Sequence, residues 1–186
     1  MKKHTLAAAF MTIFGLCAGS ASAADGTISI TGAITGTTCT ISGGTGAAPG
    51  SGANFPVVLN TVQTTSLASA GQTAGAKQYF IHVGGASCPE GTQVAVLYEA
   101  TSPAINPATG NLKNLASATP ATNVEVQIVD GAVNTPMDLR TGNTATTATV
   151  SGGVASMPFY ARYIATGGGA GQGLVSTNVQ YTVTFP

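Results

Sequence analysis

Apolar side chains recur at every second position from one end of this chain to the other, and no long segment shows the three-and-four spacing of an amphipathic helix. Period two is the repeat of a strand with one face in a core, so the chain folds as an all-β protein. Val94, Val96 and Tyr98 form one such run, and Val124, Val126 and Ile128 alternate with Glu125 and Gln127 in another. Phe159, Ala161 and Tyr163 share one parity against Tyr160, Arg162 and Ile164. Tyr79, Ile81 and Val83 alternate with Phe80 and His82, and Val179, Tyr181, Val183 and Phe185 carry the pattern to within one residue of the end.

Turn signals separate these runs: a Gly-rich loop at 43–52, a Pro-containing cluster at 103–107, Asp130-Gly131, and a second glycine loop at 167–173. Residues 55–59 are apolar enough to pair as a short strand, and the Thr/Ser/Ala-rich stretch after them has room for a helical turn. The Thr-rich stretch 141–150 favours pleated structure and is read as a strand. Several strands at turn-separated intervals imply a Greek-key sandwich, with a barrel as the other arrangement that composition allows.

The first 23 residues have the parts of a secretion signal. Lys2 and Lys3 precede an apolar stretch at 6–18, and Ala21-Ser22-Ala23 supplies the small-residue cleavage site, so cleavage is expected before Ala24. The chain from Ala24 onward fits one domain. It carries four basic residues, Lys77, Lys113, Arg140 and Arg162, against six acidic ones, which leaves no basic patch for nucleic acid. Charged residues are only 6% of the chain, so hydroxyl and amide side chains must hydrate its surface.

Cys17 lies in the leader, leaving Cys39 and Cys88. Two cysteines in an exported protein most simply form one disulfide, the other reading being two free thiols. Closing residues 39–88 into a loop stabilises the fold by about 4 kcal/mol on the chain-entropy account. Catalytic chemistry finds no foothold. His82 is the one histidine after the leader, and its parity opposite the core residues points to the surface. One His and two paired cysteines build no zinc site. No Gly-x-Ser-x-Gly elbow, Gly-x-Gly-x-x-Gly turn or Gly-Lys-Ser/Thr loop occurs. We therefore expect no enzyme activity, no cofactor and no metal.

The order of these runs carries a resemblance. An alternating N-terminal segment with a glycine before its last large residue (Ile30-x-Gly32-x-Ile34) stands five positions before Cys39, and Tyr79-x-Ile81-x-Val83 precedes Cys88. Then come Val124-Glu125-Val126-Gln127-Ile128-Val129-Asp130, Phe159-Tyr160-Ala161-Arg162-Tyr163 and the terminal Tyr181-Thr182-Val183-Thr184-Phe185-Pro186. In this arrangement the chain resembles the pilin subunits of chaperone–usher fimbriae, of the type 1 kind.

The resemblance implies an incomplete immunoglobulin-like β-sandwich lacking its final strand and completed by donor-strand complementation. It divides the chain into a signal peptide (1–23), an N-terminal donor-strand extension (24–37) and a pilin domain (38–186). Ile28, Ile30, Gly32 and Ile34 would form the donor strand, with the three isoleucines on one face. Val179, Tyr181, Val183, Phe185 and Pro186 would edge the accepting groove, where a periplasmic chaperone inserts first and anchors the terminal carboxylate. Pro186 departs from a comfortable match, because it has no N–H for the last rung. The implied partners are neighbouring identical or related pilin subunits, the chaperone and an outer-membrane usher. The implied place is a cell-surface fimbria reached through the periplasm, supporting adhesion. A minor adaptor or anchor subunit is the alternative within the fold, and a monomeric immunoglobulin-like binding module the alternative outside that role.

Overall fold

A computed structural model describes residue 31 and residues 39–50 and 52–186. The isoleucines and Gly32 of the expected donor strand lie outside the described residues.

Two twelve-residue strands, β2 (Thr73–Gly84) and β8 (Val154–Ala165), form the antiparallel centre of the larger sheet. On one side β1 (Thr40–Gly44) pairs with β2, and on the other β5 (Val124–Asp130) pairs with β8. The short strands β4 (Leu112–Lys113) and β6 (Thr135–Pro136) finish the far edge on β5. A smaller sheet has β3 (Gln93–Tyr98) between β7 (Ala148–Thr149) and β9 (Tyr181–Thr184). The inward parity of both sheets meets in one core, in which Ile81, Val83, Val94, Val96 and Phe159 are almost fully buried. This is a sandwich. Cys39 and Cys88 are joined by a disulfide that ties the entry of β1 to the turn after β2.

A bulge interrupts the β2–β8 register between Ala74 and Lys77, and Gly75 sits in it with a φ of 67°. That left-handed conformation favours glycine, and a Cβ there would press at 3.0 Å on both the Tyr163 ring and Val62. A single 3-10 turn, Thr64–Leu67, follows the 53–62 segment and buries Leu67 in a second cluster with Val124 and Ala165.

Three expectations from the sequence need correction. Of the stretch 141–150, only Ala148–Thr149 is strand, because β3 offers it two rungs, Gln93↔Thr149 and Val94↔Ala148. Residues 55–59 run extended but join no sheet. His82 is 1% exposed, not on the surface. Its Nδ1 lies 2.8 Å from Ser156 Oγ, its ring stacks on Phe80 at 5.7 Å, and its Nε2 is buried without a hydrogen-bond partner. Parity fixes which side of a sheet a residue faces, not whether that side is wet. Glu125 makes the same point. It lies on the outer parity of β5, yet Asn106, Thr109 and Asn111 fold over it and donate to its carboxylate at 2.5, 2.6 and 3.1 Å.

Candidate functional site

Two extended segments, 53–59 and 175–181, face each other across an apolar groove of about 580 Å³. Its floor is core: Tyr79 and Ile81 from β2, Tyr98 from β3, Val126 and Ile128 from β5, and Tyr163 from β8. Along both banks burial alternates residue by residue. Phe55, Val57 and Leu59 are half-buried between exposed neighbours, Val58 being 74% exposed. Val175, Thr177, Val179 and Tyr181 repeat the pattern opposite them. Each bank thus has the side-chain order of a strand.

The backbone order is missing on the groove side. Residues 54–62 make no backbone-to-backbone hydrogen bond to any described residue. On the other bank, two even-numbered positions are satisfied from outside: Ser176 O accepts from Leu115 N and Ser176 N donates to Asn114 Oδ1, while Gln180 O accepts from Glu99 N and Gln180 N donates to Ser102 Oγ; Asn178 between them makes no backbone bond among the described residues. Residues 175, 177 and 179, whose amides point the opposite way, have no such bond among the described residues. Buried or half-buried main-chain groups without partners are costly, and two rows of them over an apolar floor accept an extended peptide by strand addition.

Aromatic residues build one end of the groove. Gly43 makes this possible, since a Cβ on it would overlap the Phe55 ring. Phe55 packs 6.0 Å from the Tyr79 ring and 6.4 Å, edge-on, from Tyr181. Beneath them the Tyr79 and Tyr98 hydroxyls share a 2.6 Å hydrogen bond, and burial pushes both well above the usual tyrosine range. Tyr181 reaches across the groove and donates to Ala53 O at 2.7 Å. Partial burial raises the hydroxyls of Tyr181 and Tyr163 as well.

Tyr163 lies toward the other end. This ring and Val175 border both the main groove and a second cavity of about 470 Å³, walled by Val62, Leu67, Val124 and Leu174. Among the described residues, no three His, Cys, Asp or Glu side chains converge as a metal site would require, and no helix is long and apolar enough to cross a membrane.

The residues expected at the groove edge divide. Val179 and Tyr181 line it; Val183, in β9 opposite Val96, is half-buried against the core; Phe185 is 46% exposed and Pro186 is exposed beyond the strand. Sequence reasoning did not identify the second bank as part of the site. Its signal was there in the alternation of Phe55, Val57 and Leu59, which reads equally well as a paired strand. Nor did it identify the tyrosine floor, because inward positions of β2, β3 and β8 look alike whether a second sheet or a groove covers them.

Residues 28–186 match the family model described as fimbrial protein. The chain is 37% identical over 172 residues to the major fimbrial subunit SMF-1 of Stenotrophomonas maltophilia (strain K279a), an alignment covering 89% of this chain and 95% of that one. It is 33% identical over 193 residues to the type-1 fimbrial protein A chain of Escherichia coli (strain K12), covering 97% of this chain and 100% of that one. Among solved structures, the P pilus rod subunit PapA shares the fold at a TM-score of 0.55, with 15% identity over 80% of this chain and 99% of that one.

Proposed function

The chain belongs to the fimbrial protein family, and from that premise we propose that it is the repeating shaft subunit of a chaperone–usher fimbria, polymerising by donor-strand exchange. As a fimbrial protein it is exported and assembled at the cell surface. In this reading residues 24–37 form the donated arm and residues 38–186 the accepting domain. A periplasmic chaperone fills the groove first, and an outer-membrane usher is where a neighbouring subunit's arm replaces it. The observation that carries the reading is the groove itself, with core beneath it and unpaired main chain along both banks. The relative that is a major fimbrial subunit favours the shaft role over an adaptor or anchor.

Length and shape support a register. Residues 28–34 and the bank 175–181 both number seven and as strands both span about 20 Å. The one arm position without a side chain, Gly32, suits a place over the bulky Tyr163 ring, toward the Val175 end. The arm then runs antiparallel to 175–181, with Ile28 at the Tyr181 end and Ile34 reaching the second cavity. Burying Ile28, Ile30 and Ile34 contributes roughly 1.5–3 kcal/mol each before the arm's ordering cost.

Deleting residues 24–36 is expected to leave a protein that still captures the chaperone but adds no further subunit. Electron microscopy of cells expressing that deletion as their only copy should show no fibres, and fibres of normal length and number would overturn the proposal.

A further inference from the structure

Among the described residues a single hydrogen bond joins the two banks, from the Tyr181 hydroxyl to Ala53 O, between residues 128 positions apart in sequence. Apart from the edge-on contact of Phe55 with Tyr181, the 53–62 bank is held by apolar contact with the floor, which specifies no spacing. An apolar groove between two unpaired segments gains by closing, because closing removes floor area from water. Closing at the aromatic end would require the Tyr181 side chain to fold out of the way. A strand seated between the banks needs them about 9–10 Å apart, two strand spacings. An outstretched tyrosine side chain and its 2.7 Å hydrogen bond fill a gap of that size.

We propose that Tyr181 is a positioning residue for strand acceptance, a strut that holds the banks one strand apart before a strand arrives. The ring packs edge-on against Phe55, which in turn packs on Tyr79. The hydroxyl sets the width. Ala53 O retains a second lone pair, so an arriving N–H at that rung need not displace the tyrosine. The strut therefore lowers the reorganisation that binding requires, and its contribution falls on the rate of entry. Its use in assembly rests on the strand-accepting reading above, whereas its effect on groove width does not.

The two are separable by experiment. In the purified full mature chain carrying Ile30→Asp, so that its own arm does not compete, Asn60→Cys and Asn178→Cys place spin labels on the exposed faces of the two banks. With Tyr181 intact, a narrow distance distribution is expected; Tyr181→Phe, which keeps the ring, should shorten or broaden it. A peptide of residues 24–38 should then associate about two- to tenfold more slowly with the Tyr181→Phe chain, the scale of one hydrogen bond. Tyr160→Phe serves as the comparison, because it removes a hydroxyl that accepts from Gln78 and lies outside the groove; it should leave both the inter-bank distance and the association rate alone. Unchanged distances in Tyr181→Phe, an equal change in Tyr160→Phe, or an association rate in Tyr181→Phe that is unchanged or faster would each overturn the strut. Distances that shift while the peptide binds neither chain would leave the strut standing and sink the strand-accepting reading.

Discussion

The paired strands β2 and β8 and the opposed banks 53–59 and 175–181 are built from similar sequence and end in different states. Both have apolar residues at alternate positions, and both bury that parity against the same core. In β2 and β8 every second rung also finds a backbone partner, from Thr73↔Ile164 to Gly84↔Val154. Across the groove no backbone rung forms among the described residues. Side-chain burial is thus sufficient to hold a chain extended, while the ladder requires a neighbour at about 4.8 Å, and the two banks share no such rung among the described residues. What separates a strand from a strand-accepting edge here is the distance to the next chain.

Breaking the core of the paired region should have the largest effect. Phe159 is 1% exposed, stacks on Tyr79 and meets Tyr98 edge-on, so Phe159→Ala is expected to cost about 3–5 kcal/mol in denaturant unfolding of a protein of residues 24–186, enough to abolish folding if the domain is marginal. Val57→Ala on the bank should cost the monomer much less and instead weaken subunit-to-subunit stability, read as a lower dissociation temperature of assembled fibres. Equal losses in monomer and fibre would erase the distinction between the regions.

A smaller effect sharpens the boundary between core and groove floor. Tyr98→Phe leaves the buried Tyr79 hydroxyl without its partner and should lower stability by about 1–3 kcal/mol. A neutral result would mean that water reaches the pair from the groove.

The smallest expected effect lies far from both regions. Asp138 is held at a pKa of about 2, below the ordinary aspartate value of 3.8, chiefly by the Arg140 side chain that hydrogen-bonds it. A depressed carboxyl contributes stability that is fully present above the unfolded value and is lost as pH falls through the folded one. The contribution should therefore fade between about pH 4 and pH 2, and the exposed position of the pair keeps it small. Thermal melts across that window should show wild type losing slightly more stability than Asp138→Asn. Parallel curves would remove the ion pair from the account.

The alternation of valine, isoleucine and tyrosine fixed the all-β class, because period two is intrinsic to an extended chain. Alternation and local turn chemistry placed β3 and β5 to within a residue or two but found only the C-terminal halves of β2 and β8, whose first residues have no such pattern. Two cysteines in an exported chain were enough to anticipate the bond between Cys39 and Cys88, since the third, Cys17, lies in the stretch read as a leader. The C-terminal side of the groove was legible at Val179 and Tyr181 through the family resemblance.

Tertiary structure alone decided the rest. Phe55, Val57 and Leu59 have a strand's pattern, and only their spatial neighbours determine that they form a bank and not a rung. The outer parity of His82 and Glu125 was readable, but their burial depends on Ser156, Phe80 and the 106–111 loop. The bond from Tyr181 to Ala53 is the extreme case. A sequence specifies what each residue tends toward with its near neighbours, whereas the width of a groove is a distance between segments that meet only after the chain has folded.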